Sequence, residues 1–350
     1  MQLGKLPLEI MVPVQNSPEQ TSQPTANVSN GEGPLNTAPS TAASAGNRES
    51  FADRKAKVTR AAALSTETGM PVETVNVFGL PLAVVTGDET LVAIANKIAS
   101  GEPGYFITAN LHYARLTSLH EDLPSLNSAA DFVVADGMPL VWYSHWCGTP
   151  LPERVTGSDM IYRISEQAAE LGHQIFFLGG APGVADEAAS KLCELNPNLQ
   201  IAGVETPPFR PLSEEENTQL IGRIRDANTD ILFVALGQPK GERWIADNLQ
   251  ELAIPVCVQL GASFDFVAGR IKRAPKFYQR TGLEWAYRLF KEPKRMFPRY
   301  GGDAWFLLKC MASDVWGKIF GTKTVIRGAK GRATVSSAGS NKSTGREKQA

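Results

Sequence analysis

Between Arg270 and Arg299 the chain places ten Lys or Arg residues and two acids, Glu284 and Glu292, with six aromatic residues interleaved. The 350-residue chain has a formal net charge of -1, so this segment of about +8 (ten minus two) is a local field, not a property of the protein at large. Such a field suits an anion: a nucleotide diphosphate, a lipid headgroup or a nucleic acid. A solvated basic face is the plain alternative. Arg288, Lys291, Arg295 and Arg299 recur at i, i+3, i+7 and i+11, which aligns them on one helical face. Pro293 and Pro298 require that helix to kink or restart. Arg grips phosphate oxygens through paired N–H donors, which Lys cannot do.

A second set of residues has the chemistry to act on such a ligand. Asp136 follows the apolar run FVVA and precedes Gly137, where a glycine permits close approach of a ligand. It reads either as a general base or as the N-cap of a helix starting near Met138. In Thr156–Asp159 (TGSD), Ser158 or Asp159 either caps the next helix or joins hydroxyls placed for a sugar or nucleotide. The loop Gly179-Gly180-Ala181-Pro182-Gly183 resembles half of a dinucleotide fingerprint, with Phe177 where the first glycine belongs. Its amides either hold an anion or form a tight turn. There is no phosphate-loop lysine motif, and His112, His120, His145 and His173 show no ligand spacing. The chain also lacks a D-x-D pair, the usual carboxylates that hold a divalent cation to a nucleotide diphosphate. Any diphosphate must therefore be neutralised by cationic side chains.

The elements that position these residues are legible in the pattern. Short apolar runs such as FVVA, IFFL and ILFVAL are those of parallel strands buried on both faces. They alternate with helical stretches, which predicts a Rossmann-like, doubly wound, mainly parallel α/β sheet with helices on both faces. Strands are expected at 105–108, 132–135, 174–178, 201–204, 231–236 and 256–260, after an extended pair over 75–85. Helices are expected over 88–99, 113–119, 138–146, 160–171, 184–195, 213–226 and 242–249. Ligands of such sheets sit at the carboxyl ends of the strands. Five strand ends present polar or glycine residues there: Thr108 and Asn110; Asp136 and Gly137; Gly179 and Gly180; Gln238, Lys240 and Glu242; Ser263 and Asp265.

Composition divides the chain. Residues 1–70 and 326–350 are rich in small and polar residues without an apolar period and read as disordered tails. Residues 71–270 form the α/β core and 271–325 a basic, amphipathic C-terminal appendage. Within the appendage Ala304–Phe320 carries Trp305, Leu308, Met311, Val315, Trp316, Ile319 and Phe320 beside Lys309 and Lys318. That pattern suits a helix lying in a membrane interface, or a C-terminal helix packed on the domain. Cys147, Cys193, Cys257 and Cys310 are far apart, which argues against a disulfide framework and a zinc site. No run approaches the ~20 apolar residues of a spanning helix, and the N-terminus lacks the apolar core of a secretory signal. A cytoplasmic chain is expected, with attachment to the membrane surface open.

Seven motifs in order carry a family resemblance from about Val75 to Tyr300: TAN at 108–110, ADG at 135–137, RVTGSD at 154–159, FLGGAPG at 177–183, LGQPKGE at 236–242, FDFVAGRIKRAP at 264–275 and GLEWAYRLFKEPKR at 282–295. With these the chain resembles the WecG/TagA/CpsF glycosyltransferases, glycosyltransferase family 26. The resemblance implies an inverting transferase that needs no metal and no cofactor beyond a UDP-sugar donor. It implies an acceptor sugar on a polyprenyl diphosphate, in surface polysaccharide or teichoic-acid assembly at the inner face of the cell membrane. Its partners are then donor, lipid-linked acceptor and membrane surface, not nucleic acid; a homo-oligomer is compatible. N-acetylmannosamine, its uronic acid and glucose all fit the family as donors. By the same resemblance Asp136 matches the catalytic base, Thr108 and Asn110 the polar substrate pocket, and Arg288, Arg295 and Arg299 the appendage that closes over the donor diphosphate. Gly137, Thr156, Asp159, Gly179, Gly180, Gln238, Lys240, Glu242 and Asp265 complete the candidate substrate contacts. One departure concerns the P-K-Q-E motif, where this chain has Gly241 in place of the substrate-contacting glutamine; Gln238, three residues earlier, is the candidate replacement. Two other readings of the same residues are a nucleotide-dependent α/β oxidoreductase, disfavoured by the incomplete glycine fingerprint, and a non-catalytic, membrane-bound binding module.

Overall fold

The structure, a computed structural model, describes residues 72–320 together with 331 and 332. The expected tail 1–70, and that at 326–350 apart from these two residues, lie outside the described residues. Strand β1 (Glu73–Val77) turns into β2 (Leu80–Ala83) through Phe78 and Gly79, both at positive φ (55° and 85°). A two-residue hairpin of this kind has the twist of the strands it joins. Helix α1 (Gly87–Ser100) follows, then β3 (Tyr105–Ala109), α2 (Leu111–Leu119), α3 (Leu123–Ala129), β4 (Phe132–Ala135) and α4 (Met138–Trp146). The chain then crosses to the other half of the sheet with α5 (Gly157–Leu171), β5 (Gln174–Gly179), α6 (Val184–Leu195), β6 (Gln200–Glu205), α7 (Glu214–Asp226), β7 (Ile231–Ala235), α8 (Lys240–Leu252), β8 (Val256–Gln259) and α9 (Ser263–Ala268). The appendage is α10 (Lys276–Arg280), α11 (Glu284–Lys291) and α12 (Pro293–Phe320), and Gly331–Arg332 pairs with β1 as β9.

The strand order is β6-β5-β7-β8-β3-β4-β2-β1-β9, parallel from β6 to β2 and antiparallel at the β1 edge. Alternate residues of each strand feed two cores, one per face. Phe176, Leu178, Leu232 and Val234 pack with Leu220, Ile224 and Ile245 of α7 and α8. Their neighbours Ile175, Phe177, Ile231 and Phe233 pack with α5, α6 and α9 through Ile161, Ala188 and Phe264. The runs that read as apolar on both faces are therefore buried on both, and the doubly wound expectation holds.

Local sequence starts and stops the helices. Thr86 with Glu89, and Ser213 with Glu216, form capping boxes at α1 and α7. Gly101 and Gly172 end α1 and α5 in the left-handed conformation. Two elements differ from expectation. Helix α3 falls in a stretch that gave no periodic signal; it is seven residues long with Pro124 in its first turn. The basic helix is broken where Glu292 takes φ -130° and ψ 60° and Pro293 opens a new helix. Arg288 and Lys291 thus sit on α11, whereas Arg295 and Arg299 sit on α12, so the four do not share one helical face. Pro293 has no N–H to continue the α11 hydrogen-bond ladder. Pro298 lies within α12 without ending it.

Candidate active site

The parallel register sets Thr108 opposite Val134 and Ala109 opposite Ala135, so Asn110 and Asp136 leave adjacent strands side by side. The Asp136 amide donates to Ala109 O at 2.7 Å. The helices after β3 and β8 pack on opposite faces, which opens the crevice where an α/β sheet binds ligands. Asp136 is not used as a cap: α4 starts from Gly137 without a side-chain capping bond. Burial among protein atoms pushes the Asp136 carboxyl up to about 7, with the Arg154 guanidinium and the Gly157 amide opposing that rise, Glu284 adding to it and Arg288 opposing it. Part of its surface stays exposed. A carboxyl raised toward neutrality in a partly exposed residue is suited to accept a proton.

Beside it a chain of amides fixes the end of β3. Asn110 Oδ1 accepts from the Tyr113 amide (3.0 Å), capping α2, and Asn110 Nδ2 donates to Gln238 Oε1 (3.2 Å). Gln238 Nε2 donates to Thr108 O at 3.1 Å, and the buried Thr108 hydroxyl donates to Gln259 O at 3.3 Å. Glu242 lies beneath, 1% exposed, and burial pushes its carboxyl up to about 7. Gln238 is close enough to favour the ionised form, yet neither oxygen of Glu242 has a partner in hydrogen-bonding geometry. Lys240 is exposed at the start of α8. At Gly241 a Cβ would stand 2.1 Å from Gln259 Oε1, so the Gln259 side chain, itself bonded to the Leu236 amide (3.2 Å), fills the space beside this glycine.

The remaining candidates separate. Thr156, not Ser158 or Asp159, is the N-cap of α5. Asp159 accepts from Thr156 Oγ1 and from Arg273 Nη1, each at 2.6 Å. Burial alone would raise the Asp159 carboxyl, but these bonds, Arg273 foremost, hold it below its ordinary value. Gly179 has φ 101°, and a Cβ there would meet Ala235 O at 2.8 Å, so the turn lies against β7. The Gly180 amide donates to that same oxygen at 3.0 Å and is engaged within the fold. Asp265 is partly buried on α9. Arg288 of α11 reaches Glu284 (3.3 Å) and stacks 4.7 Å from the Phe266 ring centroid. Burial raises the Tyr300 phenol, and both Arg288 and Arg299 oppose that rise, so both lie within electrostatic reach of it despite their different helices. The side chain of Arg295 lies outside the described residues.

Three charged residues join Asp136 that sequence reasoning passed over: Arg154, Arg273 and Glu284. Arg154 bridges to Glu284 (3.6 Å) and donates to Gln279 O (3.2 Å), and Arg273 lies between Asp159 and Glu284. Each stands in one of the motifs at 154–159, 264–275 and 282–295, and that membership was the signal available.

The fold is thus an α/β sheet with a carboxyl raised toward neutrality and several arginines gathered at its carboxyl rim. The profile of the Glycosyl transferase WecG/TagA/CpsF family matches residues 75–319; the chain belongs to that family and is a glycosyltransferase. It is similar to the N-acetylglucosaminyldiphosphoundecaprenol N-acetyl-beta-D-mannosaminyltransferase of Bacillus spizizenii W23, 31% identical over 191 residues, which cover 55% of this chain and 72% of the relative. It is also similar to the protein of the same description from Bacillus subtilis 168, 32% identical over 198 residues, covering 55% and 75%.

Glu242 generates a measurable prediction. Its carboxyl ordinarily titrates near 4.5 and in the fold near 7, so the native state holds a proton that the unfolded state has already lost. Stability is intact below the lower value and falls as pH rises through the upper one, by on the order of 3 kcal/mol. Glu242→Gln removes this slope while keeping the shape. Urea unfolding at pH 5 and pH 8 should show the variant gaining on the native protein as pH rises; parallel pH dependence would refute the buried-acid reading.

Proposed function

We propose that this glycosyltransferase moves an N-acetylmannosamine-type sugar from a UDP-sugar to N-acetylglucosamine carried on a polyprenyl diphosphate. The observation that carries this reading is Asp136, a carboxyl pushed to about 7 on a rim lined by arginines. The activity by which both Bacillus relatives are described supports the acceptor and the sugar. Asp136 takes the proton of the acceptor hydroxyl as that oxygen attacks the anomeric carbon from the face opposite the diphosphate. The new glycosidic bond forms as the bond to the diphosphate oxygen breaks, which inverts the centre and leaves UDP. Arg288, with Arg295 and Arg299 of α12, neutralises the charge that builds on the departing diphosphate. In this reading the arginines do what a metal ion does elsewhere. Thr108, Asn110 and Gln238 orient the sugars.

A lipid-linked acceptor requires the enzyme to work at a membrane surface. Among the described residues no helix is long and apolar enough to cross a membrane. Helix α12 buries Asp303, Phe306, Leu307 and Cys310 toward the core and exposes Trp305, Leu308, Met311, Val315 and Trp316 on its other side. The two readings of this segment are therefore compatible: one face packs, and the other is available to an interface.

Offered a panel of UDP-sugars and a synthetic polyprenyl-diphosphate N-acetylglucosamine, the protein should form product with UDP-N-acetylmannosamine, unaffected by EDTA. Product with another donor alone would change the sugar, and loss with EDTA would overturn the metal-free mechanism. Asp136→Asn should lower kcat by about 10²–10⁴-fold while leaving UDP affinity within about twofold. In the native protein kcat/KM should rise with pH as Asp136 loses its proton and level off above about 7. A variant as active as the native protein would exclude Asp136 as the base. Removing residues after Gly302 should abolish sedimentation with anionic liposomes; undiminished binding would place the membrane contact elsewhere.

A further inference from the structure

Glu284, the first residue of α11, is buried and surrounded by three guanidinium groups: Arg288 Nη2 at 3.3 Å, Arg154 Nη1 at 3.6 Å and Arg273 Nε at 3.9 Å. Every one of these distances exceeds the ~2.7–2.9 Å of a good N–H···carboxylate bond. Arg273 makes such a close bond elsewhere, to Asp159 at 2.6 Å. Its Nε and Nη2 are buried without an acceptor in hydrogen-bonding geometry. Leaving a buried charged donor without an acceptor costs more than leaving a neutral one so. Three guanidinium groups thus share the Glu284 carboxylate loosely, and two nitrogens of one of them, Arg273, are idle although its third bonds to Asp159. This is the donor surplus that a group with several anionic oxygens satisfies and one carboxylate does not. The cluster adjoins the catalytic carboxyl, since Arg154, Glu284 and Arg288 all act on Asp136 and Asp136 acts on Arg273.

We propose that Arg154 and Arg273 of the α/β core, together with Arg288, form the seat of the donor's diphosphate, and that Glu284 is a built-in competitor that the diphosphate displaces. This rests on the UDP-sugar reading above. A diphosphate brings two phosphoryl groups and several acceptor oxygens, enough to engage Arg154 and Arg288 and the two idle nitrogens of Arg273. Glu284 then turns away with the start of α11, so donor binding and the position of the appendage are coupled. The arginines of the core bind the leaving group from the sheet side while those of the appendage cover it.

The competitor role has a sign that a merely bracing role does not share. A brace that holds Arg288 in place weakens UDP binding when removed, whereas a competitor strengthens it. In calorimetric titration of the full chain, Glu284→Gln should bind UDP at least threefold more tightly than the native protein. Arg273→Lys, which retains the charge and loses the fork of donors, should bind it at least tenfold more weakly. Uridine, which carries no phosphate, should bind all three proteins alike, and thermal melts should show both variants folded. Native protein that binds UDP while Glu284→Gln binds it equally or more weakly would overturn the competitor. Unchanged affinity in Arg273→Lys would overturn the seat. Native protein that binds neither UDP nor a UDP-sugar would overturn the donor reading and this inference with it.

Discussion

The charge balance at the carboxyl rim is the constraint on which the rest of the site depends. Arg154, Arg273 and Arg288 meet Asp159, Glu284 and Asp136 there, contributed by the loops after β4, α4 and α9 and by helices α5 and α11. Buried ion pairs repay their desolvation poorly, so a cluster of this kind is weak evidence for added stability. Its consequence is positional. Glu284 ties α11 to the core through Arg154 and Arg273, and Asp303 ties α12 to α2 through His112 (3.0 Å) and Arg115 (3.5 Å). Tyr143 of α4 donates to Asp314 farther along α12. The appendage is thus held beside Asp136 by directional polar contacts as well as by apolar packing, and its arginines take their places from them.

The amide chain on the other side of Asp136 solves a different problem. The end of β3 is kept from fraying by Gln238, which bonds to both Thr108 O and Asn110. Glu242 lies under Gln238 with its carboxyl pushed toward neutrality by burial. A neutral carboxyl can rest in such a place at far lower cost than a carboxylate. Glycine at 241 belongs to the same solution. Gln259 occupies the space next to it and holds the Leu236 amide, so a side chain at 241 would have to displace a buried glutamine.

These features were unequally legible in the sequence. The doubly wound sheet was readable because strands such as IFFL are apolar at every position and each odd–even pair feeds opposite cores. Strand ends then led directly to Thr108, Asn110, Asp136 and Gln238. Arg154, Arg273 and Glu284 were not legible as a unit, because Arg154 and Glu284 are 130 residues apart (284 minus 154) and no spacing rule connects them. Helix α3 was hidden by its length, since seven residues with a proline in the first turn carry no measurable period. The alignment of four basic residues on one face was a true property of the spacing and an incorrect property of the fold. It assumed a continuous helix, and the missing N–H of Pro293 ends that continuity.

Breaking the helix there has a use that a straight helix would not. A continuous helix from Glu284 would carry its basic face along one line, away from the rim. The restart at Pro293 instead brings Arg299 back to the neighbourhood of Arg288, both acting on Tyr300. The same α12 then continues along α2, burying Asp303, Phe306, Leu307 and Cys310 at helical spacing and exposing Trp305, Leu308 and Trp316 between them. Less than two turns of helix therefore separate Arg299 from the first of the outward-facing residues, Trp305. Helix α12 thus carries a packed face and an outward apolar face at the spacing a helix imposes, so any shift of its outer face also shifts Arg299.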